Sequence, residues 1–159
     1  MRLKFKLIIT LFLLCNFSIA QNSLPIEITA DKMEWSKVKN VAIATGNAKA
    51  VQGDLKLSAN KIVANLDKAA GGEEITSLDA EGKVTFVGKN EIAYGNRAFY
   101  DLKNDVITIT GKVNLKKEDN IMVGEKLVIN FKNGVSELTA DSNSNKVKMK
   151  FNATKKEVK

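Results

Sequence analysis

Most protein chemistry at neutral pH uses a histidine, a reactive cysteine or a pair of facing carboxylates, and this sequence is poor in all three. It contains no histidine, and its one cysteine is Cys15, inside an apolar N-terminal run. The usual general base, the common transition-metal ligands and, if that run is removed, the thiol nucleophile are therefore missing together. Ser23, Ser36, Ser58, Ser77, Ser136, Ser142 and Ser144 lie in turns or on repeat borders, without a nucleophile-elbow pattern. Glu73, Glu74, Asp79 and Glu81 are numerous enough for paired-carboxylate hydrolysis, but read more simply as a solvated loop. Asp101 and Asp105 flank a turn. No D-x-[DN]-x-[DN]-G calcium loop and no phosphate-cradling glycine loop occurs. These features point away from an enzyme, and no cofactor or metal is expected. What remains is binding.

The elements that would present a binding surface begin after a removable leader. Arg2, Lys4 and Lys6 precede an apolar run from Leu7 to Cys15, and Ser18-Ile19-Ala20 before Gln21 has the small-x-small form of a cleavage site. A membrane-spanning helix needs about 20 apolar residues, and Asn16 interrupts this run well short of that. Residues 1–20 are expected to be a cleaved export signal. An uncleaved anchor and lipidation at Cys15 are the alternatives, the latter opposed by Leu14. The formal charge of +7 is +4 without residues 1–20, and residues 142–159 carry +5, which leaves about −1 over 21–141. A folded domain without a basic face argues against nucleic acid. In the tail, Lys146, Lys148 and Lys150 alternate with Val147, Met149 and Phe151. That pattern reads as a basic edge strand with a frayed end over 146–159, or as a contact for an anionic partner or membrane surface.

Two short motifs recur through the body of the chain. The first, a small, a polar and a basic residue leading into a strand, appears at Ala30-Asp31-Lys32-Met33, Ala59-Asn60-Lys61-Ile62, Gly95-Asn96-Arg97-Ala98 and Gly124-Glu125-Lys126-Leu127. Their spacings are 29, 36 and 29 residues. The second interleaves with it at Gly46-Asn47-Ala48, Gly82-Lys83-Val84 and Gly111-Lys112-Val113. After the basic residue of the first motif, alternate positions read Met33, Trp35, Lys37; Ile62, Ala64, Leu66; Ala98, Tyr100, Leu102; and Leu127, Ile129, Phe131. After the glycine of the second they read Ala48, Ala50; Val84, Phe86; and Val113, Leu115. Alternation also runs through Val41 to Thr45 and Val106 to Thr110. Period two with one apolar face predicts half-buried strands. Lys89-Asn90, Lys103-Asn104-Asp105 and Lys132-Asn133-Gly134 supply turns. The longest loop is expected at Ala69 to Glu74. No window of ten residues after the leader sustains a helical period. The repeat predicts an all-β stack of short antiparallel strands over 21–145, with two facing sheets and most aromatics (Trp35, Phe86, Tyr94, Tyr100 and Phe131) turned inward.

The stretch from Gly46 through Gln52-Gly53 to Ala59-Asn60-Lys61-Ile62 resembles the core motif of the OstA-like family. Pro25-Ile26, the unit ending in Phe86, and Tyr100-Asp101-Leu102 followed by Val106 to Gly111 are similar to its later units. The likeness covers roughly residues 25–140. It implies a slightly open β-jellyroll whose apolar groove binds the lipid A acyl chains of lipopolysaccharide in the periplasm. It also implies head-to-tail assembly with further copies, an LptC-like inner-membrane protein and an LptD-like outer-membrane protein. Carried over, the family's lipid contacts fall on Ile26, Phe86, Tyr100 and Leu102. Alternation adds Ile28, Ile43, Ile62, Val84, Ile107, Ile109 and Leu115 as candidates. Ala48 stands where the family favours valine, and the loop around Gly71-Gly72 is short; both bear on groove width. An LptC-like anchored adaptor of the same fold, or a β-repeat module with a filled core that binds only protein, are the alternatives. Retention of the first twenty residues would mark the former, and absence of bound lipid the latter.

Overall fold

The computed structural model describes residues 24–68, 74–141 and 146–151. The expected export signal, most of the loop from Ala69 to Glu74 and the end of the tail lie outside them. Ten strands follow in order: β1 (Glu27–Thr29), β2 (Lys32–Ser36), β3 (Val41–Gln52), β4 (Leu55–Asp67), β5 (Glu74–Val87), β6 (Glu91–Asp101), β7 (Val106–Lys117), β8 (Asn120–Asn130), β9 (Val135–Thr139) and β10 (Lys148–Lys150). All pair antiparallel. β3 to β8 form a meander of sequence neighbours, β1 and β2 both pair with β3, and β9 and β10 both pair with β8. Among the described residues the sheet does not close, because nothing pairs β1 with β10 or β2 with β9.

The two sequence motifs prove to be bends rather than boundaries. Six strands of 11 to 14 residues replace the expected short ones, and each is interrupted mid-way by a register shift. On β3, β5 and β7 the bend is a glycine and its successor in left-handed conformation: Gly46-Asn47, Gly82-Lys83 and Gly111-Lys112. On β4, β6 and β8 it is the small-polar-basic motif. The two kinds meet across the fold. Asp31, Asn60 and Asn96 lie where a Cβ on Gly46, Gly82 and Gly111 would stand. Asp31 N–H also donates to Gly46 O at 2.9 Å, and Asn47 Nδ2 donates to Asp31 Oδ2 at 2.8 Å. This row of bends is a spine that folds one sheet into two halves. One half holds β1, β10 and one segment of each long strand; the other holds β2, β9 and the remaining segments.

Each half has an apolar inner face. In the β1 half one inner row runs Ile28, Ala50, Leu57, Phe86, Ala93, Leu115, Met122, Met149 across all eight strands. Nearer the spine its residues are small: Ala48, Ala59, Val84, Gly95, Val113 and Gly124. In the β2 half the rows run Trp35, Ala42, Ala64, Leu78, Tyr100, Ile107, Ile129 and Met33, Ala44, Ile62, Ala80, Ala98, Ile109, Leu127, Leu138. Small residues on the β1 side of the spine leave room for larger ones facing them from the β2 half: a Cβ on Gly95 would meet Ile109, and one on Gly124 would meet Leu138. Among the described residues the buried ones from both halves form one core, and none of them is polar or charged.

The bends also change phase. A one-residue bulge moves every later side chain to the other face. On β6 the inner residues are Ala93 before the bend and Ala98 and Tyr100 after it, so Tyr94 points outward and is 46% exposed. The expectation that Tyr94 turns inward is corrected on that ground. Ile43 is corrected likewise: Ala42 and Ala44 take the inner positions of β3, and Ile43, between Glu34 and Val63, lies on the outer face.

Candidate functional site

Opposite the spine the two halves end in hairpin tips. Those of the β1 half lie near Gly53, Lys89 and Glu118; those of the β2 half lie near Lys103 and Lys132 and at the facing ends of β4 and β5. Between the rows of tips runs a cleft. One part, of about 500 Å³, is lined by Leu24, Pro25, Ile26, Gln52, Ile75 and Leu102 with Asp67, Glu74, Lys103 and Asp105 at its rim. The next, of about 670 Å³, shares Leu24, Gln52, Glu74, Leu102, Lys103 and Asp105 and adds Leu55, Tyr100, Phe131, Asp54, Lys89 and Lys132. The shared walls make one slot, apolar along its floor and charged along its lips. Beneath it an apolar recess of only about 10 Å³, bounded by Ile26, Ala50, Leu57, Leu78, Phe86 and Tyr100, has room for no more than about one water molecule.

The slot's floor is tied across the two halves. Phe131 packs on Phe86 of the β1 half at 5.9 Å and edge-on against Tyr100 of its own half at 5.8 Å. The Tyr100 hydroxyl donates to Gln52 Oε1 at 3.1 Å, and Gln52 Nε2 donates to Leu24 O at 3.1 Å. Burial, and secondarily the Asp105 carboxylate, push the Tyr100 phenol up to about 12, so it is a neutral donor at physiological pH. At the lip, Asn104 bonds the Asp101 carboxylate through both backbone and side chain, at 3.0 and 2.7 Å, and holds its pKa below the ordinary value. Among the described residues no group of histidine, cysteine, aspartate and glutamate could hold a metal. The arrangement offers apolar surface with charge at its margin, which suits an amphiphile.

Residues 27–135 match the family described as LptA/(LptD N-terminal domain) LPS transport protein. The chain belongs to this family. It is 30% identical over 109 residues to the lipopolysaccharide export system protein LptA of Escherichia coli, a match covering 65% of this chain and 58% of that protein. To the LptA of Haemophilus influenzae it is 29% identical over 113 residues, covering 68% and 66% of the two. An uncharacterised protein of Rhizobium meliloti is 32% identical over 126 residues, covering 75% of this chain and 67% of its own length. The crystal structure of LptH from Pseudomonas aeruginosa, described as the LptA homologous periplasmic component of the conserved lipopolysaccharide transport device, superposes with a TM-score of 0.72. That match has 20% identity and covers 82% of this chain and 96% of the other. The LptA-like β-jellyroll expected from the sequence is the fold of this chain.

Within this LptA-family fold the candidate residues separate by whether they reach the slot. Ile26, Tyr100 and Leu102 line it, and Phe86, only 2% exposed, bounds the recess beneath. Ile62, Val84, Ile107, Ile109 and Leu115 are sealed in the core, each at most 2% exposed. Ile28 is half-buried on the inner face near the slot, and Ile43 is outside. Ala48 lies beside the spine, away from the slot. Sequence reasoning passed over Gln52, Leu55 and Leu24 as site residues, and it placed Phe131 only on the inward register. Gln52 is polar and therefore invisible to a search for apolar alternation, although it belongs to the Gln52-Gly53 turn of the recurring motif. Leu55 continues the alternation of Leu57 and Ala59, and Leu24 that of Ile26 and Ile28, but both stand outside the recurring motifs from which the register was counted.

Proposed function

We propose that this chain is a periplasmic lipopolysaccharide carrier that takes lipid A acyl chains into the slot between its hairpin tips while the saccharide stays in water. The observation that carries this reading is the continuous cleft from Leu24 to Lys132, with an apolar floor and charged lips. Burying a methylene contributes about 0.8 kcal/mol, so a chain of about twelve carbons is worth roughly 10 kcal/mol. Deeper insertion would part the halves, breaking the Tyr100–Gln52 hydrogen bond and the Phe86–Phe131 contact at a net cost of about 1 kcal/mol each. The lipid term exceeds their sum several-fold. On this reading residues 1–20 are a cleaved export signal and the protein spends its working life in the periplasm.

The ends of the jellyroll support a chain of copies. Met33 and Trp35, 52 and 53% exposed, end the inner rows at the β2 side, and Met149 and Phe151, 50 and 65% exposed, stand at the β10 end. Unpaired strand edges of this kind recruit further strands. Head-to-tail pairing would continue the slot from one copy to the next, with an LptC-like protein at the inner-membrane end and an LptD-like protein at the outer. The test is photocrosslinking. A photoreactive side chain at Phe86 or Leu102 should label lipopolysaccharide, and one at the outward Ile43 should not. Labelling absent from both slot positions, or equal at Ile43, refutes the carrier.

A further inference from the structure

We propose that the outer face of the β1 half docks flat on an anionic phospholipid bilayer. Strand register gathers Lys49, Lys56, Lys116, Lys148 and Lys150 on this face from four separate strands. Among the described residues Glu27 is the one carboxylate that strand pairing places on this face, and Glu125 and Asp141 stand at its spine-side border beside Lys112, Lys146 and Lys148. The outer face of the other half is close to balanced, with Lys32, Lys61, Arg97 and Lys126 against Glu34, Asp79, Glu81, Asp101 and Glu137. At the border, Asp54, Glu118 and Asp119 lie on tips, and Lys83 and Lys112 offset Asp31 and Glu125 at the spine.

The geometry of this face selects its occupant. Eight strands about 4.8 Å apart spread these lysines over roughly 30 Å, several Debye lengths at physiological salt. Charges so dispersed cannot converge on one phosphate, but they can each meet a different phosphate of a bilayer surface. Between them stand Tyr94, Ile121 and Val123, exposed by 46, 42 and 44%, which add amphipathic and apolar contact at a headgroup boundary. The slot opens between the hairpin tips and not through this face, so docking leaves it uncovered. β10 extends a lysine field already present on β3, β4 and β7.

Cosedimentation of the protein without its leader, residues 21–159, with vesicles tests this without any lipopolysaccharide, so the outcome is separate from that of the carrier reading. Vesicles of phosphatidylglycerol and phosphatidylcholine should bind the protein at about 0.1 M salt and release it at about 0.5 M, and phosphatidylcholine alone should not bind. Each lysine near such a surface contributes about fivefold in affinity, so Lys49→Gln, Lys56→Gln and Lys116→Gln together should weaken binding roughly a hundredfold. The pair Lys61→Gln and Lys126→Gln on the other face should change it less than about twofold. Equal binding to neutral vesicles, no binding to either, an unaffected triple variant, or an equal loss in the control pair overturns the proposal. Unchanged denaturation midpoints in both variants would separate lost docking from lost folding.

Discussion

The Tyr100 hydroxyl reaches across the slot to Gln52 while its ring packs on Phe131, so one side chain serves both the core and the mouth. Its phenol is pushed up from 10.0 to about 12, mainly by burial. A proton held more tightly in the fold than in the unfolded chain leaves stability intact below about pH 10. That stability drains as pH climbs from about 10 toward about 12. Denaturant midpoints measured from pH 9 to 11.5 should therefore fall less steeply in Tyr100→Phe than in the parent; parallel curves would show that the phenol does not titrate as the fold requires. Gly111 tests the spine at the same scale. It sits at φ +85, and a Cβ there would come within 2.7 Å of Asn96, whereas Gly134 at φ +69 has nothing within 4 Å. The left-handed cost of about 1–2 kcal/mol applies to both alanine substitutions. Gly111→Ala should cost measurably more in chemical denaturation, because Asn96 must also move. Equal losses would mean that the Asn96 contact stabilises nothing.

At the scale of the element, the long strands matter less than where they bend. Each bend redirects a strand from one half to the other, and its register shift resets which residues face in. That is why Phe86, Tyr100 and Leu102 could be read from alternation within a motif, while Tyr94 and Ile43 could not: their facing depends on which parity the bend enforces. The edge strands raise a different point. β10 contributes only three paired residues at the C-terminal edge, and their side chains are exposed. Removing residues 146–159 should leave a folded monomer with the parent's cooperative unfolding but without the oligomer ladder that head-to-tail pairing would give in native mass spectrometry. A ladder that persists after truncation would place the joining edge elsewhere.

For the whole molecule, almost every strand pairs with its sequence neighbour, so stability accumulates along the stack as in a repeat protein. β5, β6 and β7 are each covered on both sides, whereas β1, β2, β9 and β10 are edges. Amide hydrogen exchange should be slowest in β5 to β7 and rise toward both ends. Uniform protection from β1 to β10 would instead indicate a single all-or-none unit. Bound lipopolysaccharide, if it bridges the halves at the slot, should slow exchange at Gln52 and Leu102 more than at the spine.

Composition and period two were enough to point away from histidine and thiol chemistry and to predict facing β-layers, because a missing side-chain type and an alternating stripe are local facts of the chain. The motif order further carried the family and its jellyroll. Depth was beyond their reach. Ile107 and Leu102 look alike in an alternating string, yet one is sealed in the core and the other floors the slot. The gathering of Lys49, Lys116 and Lys148 on one face likewise depends on pairing between strands remote in sequence. Both outcomes are set by register and by how far each residue lies from a bend, quantities that come into being only when the sheet folds over on itself.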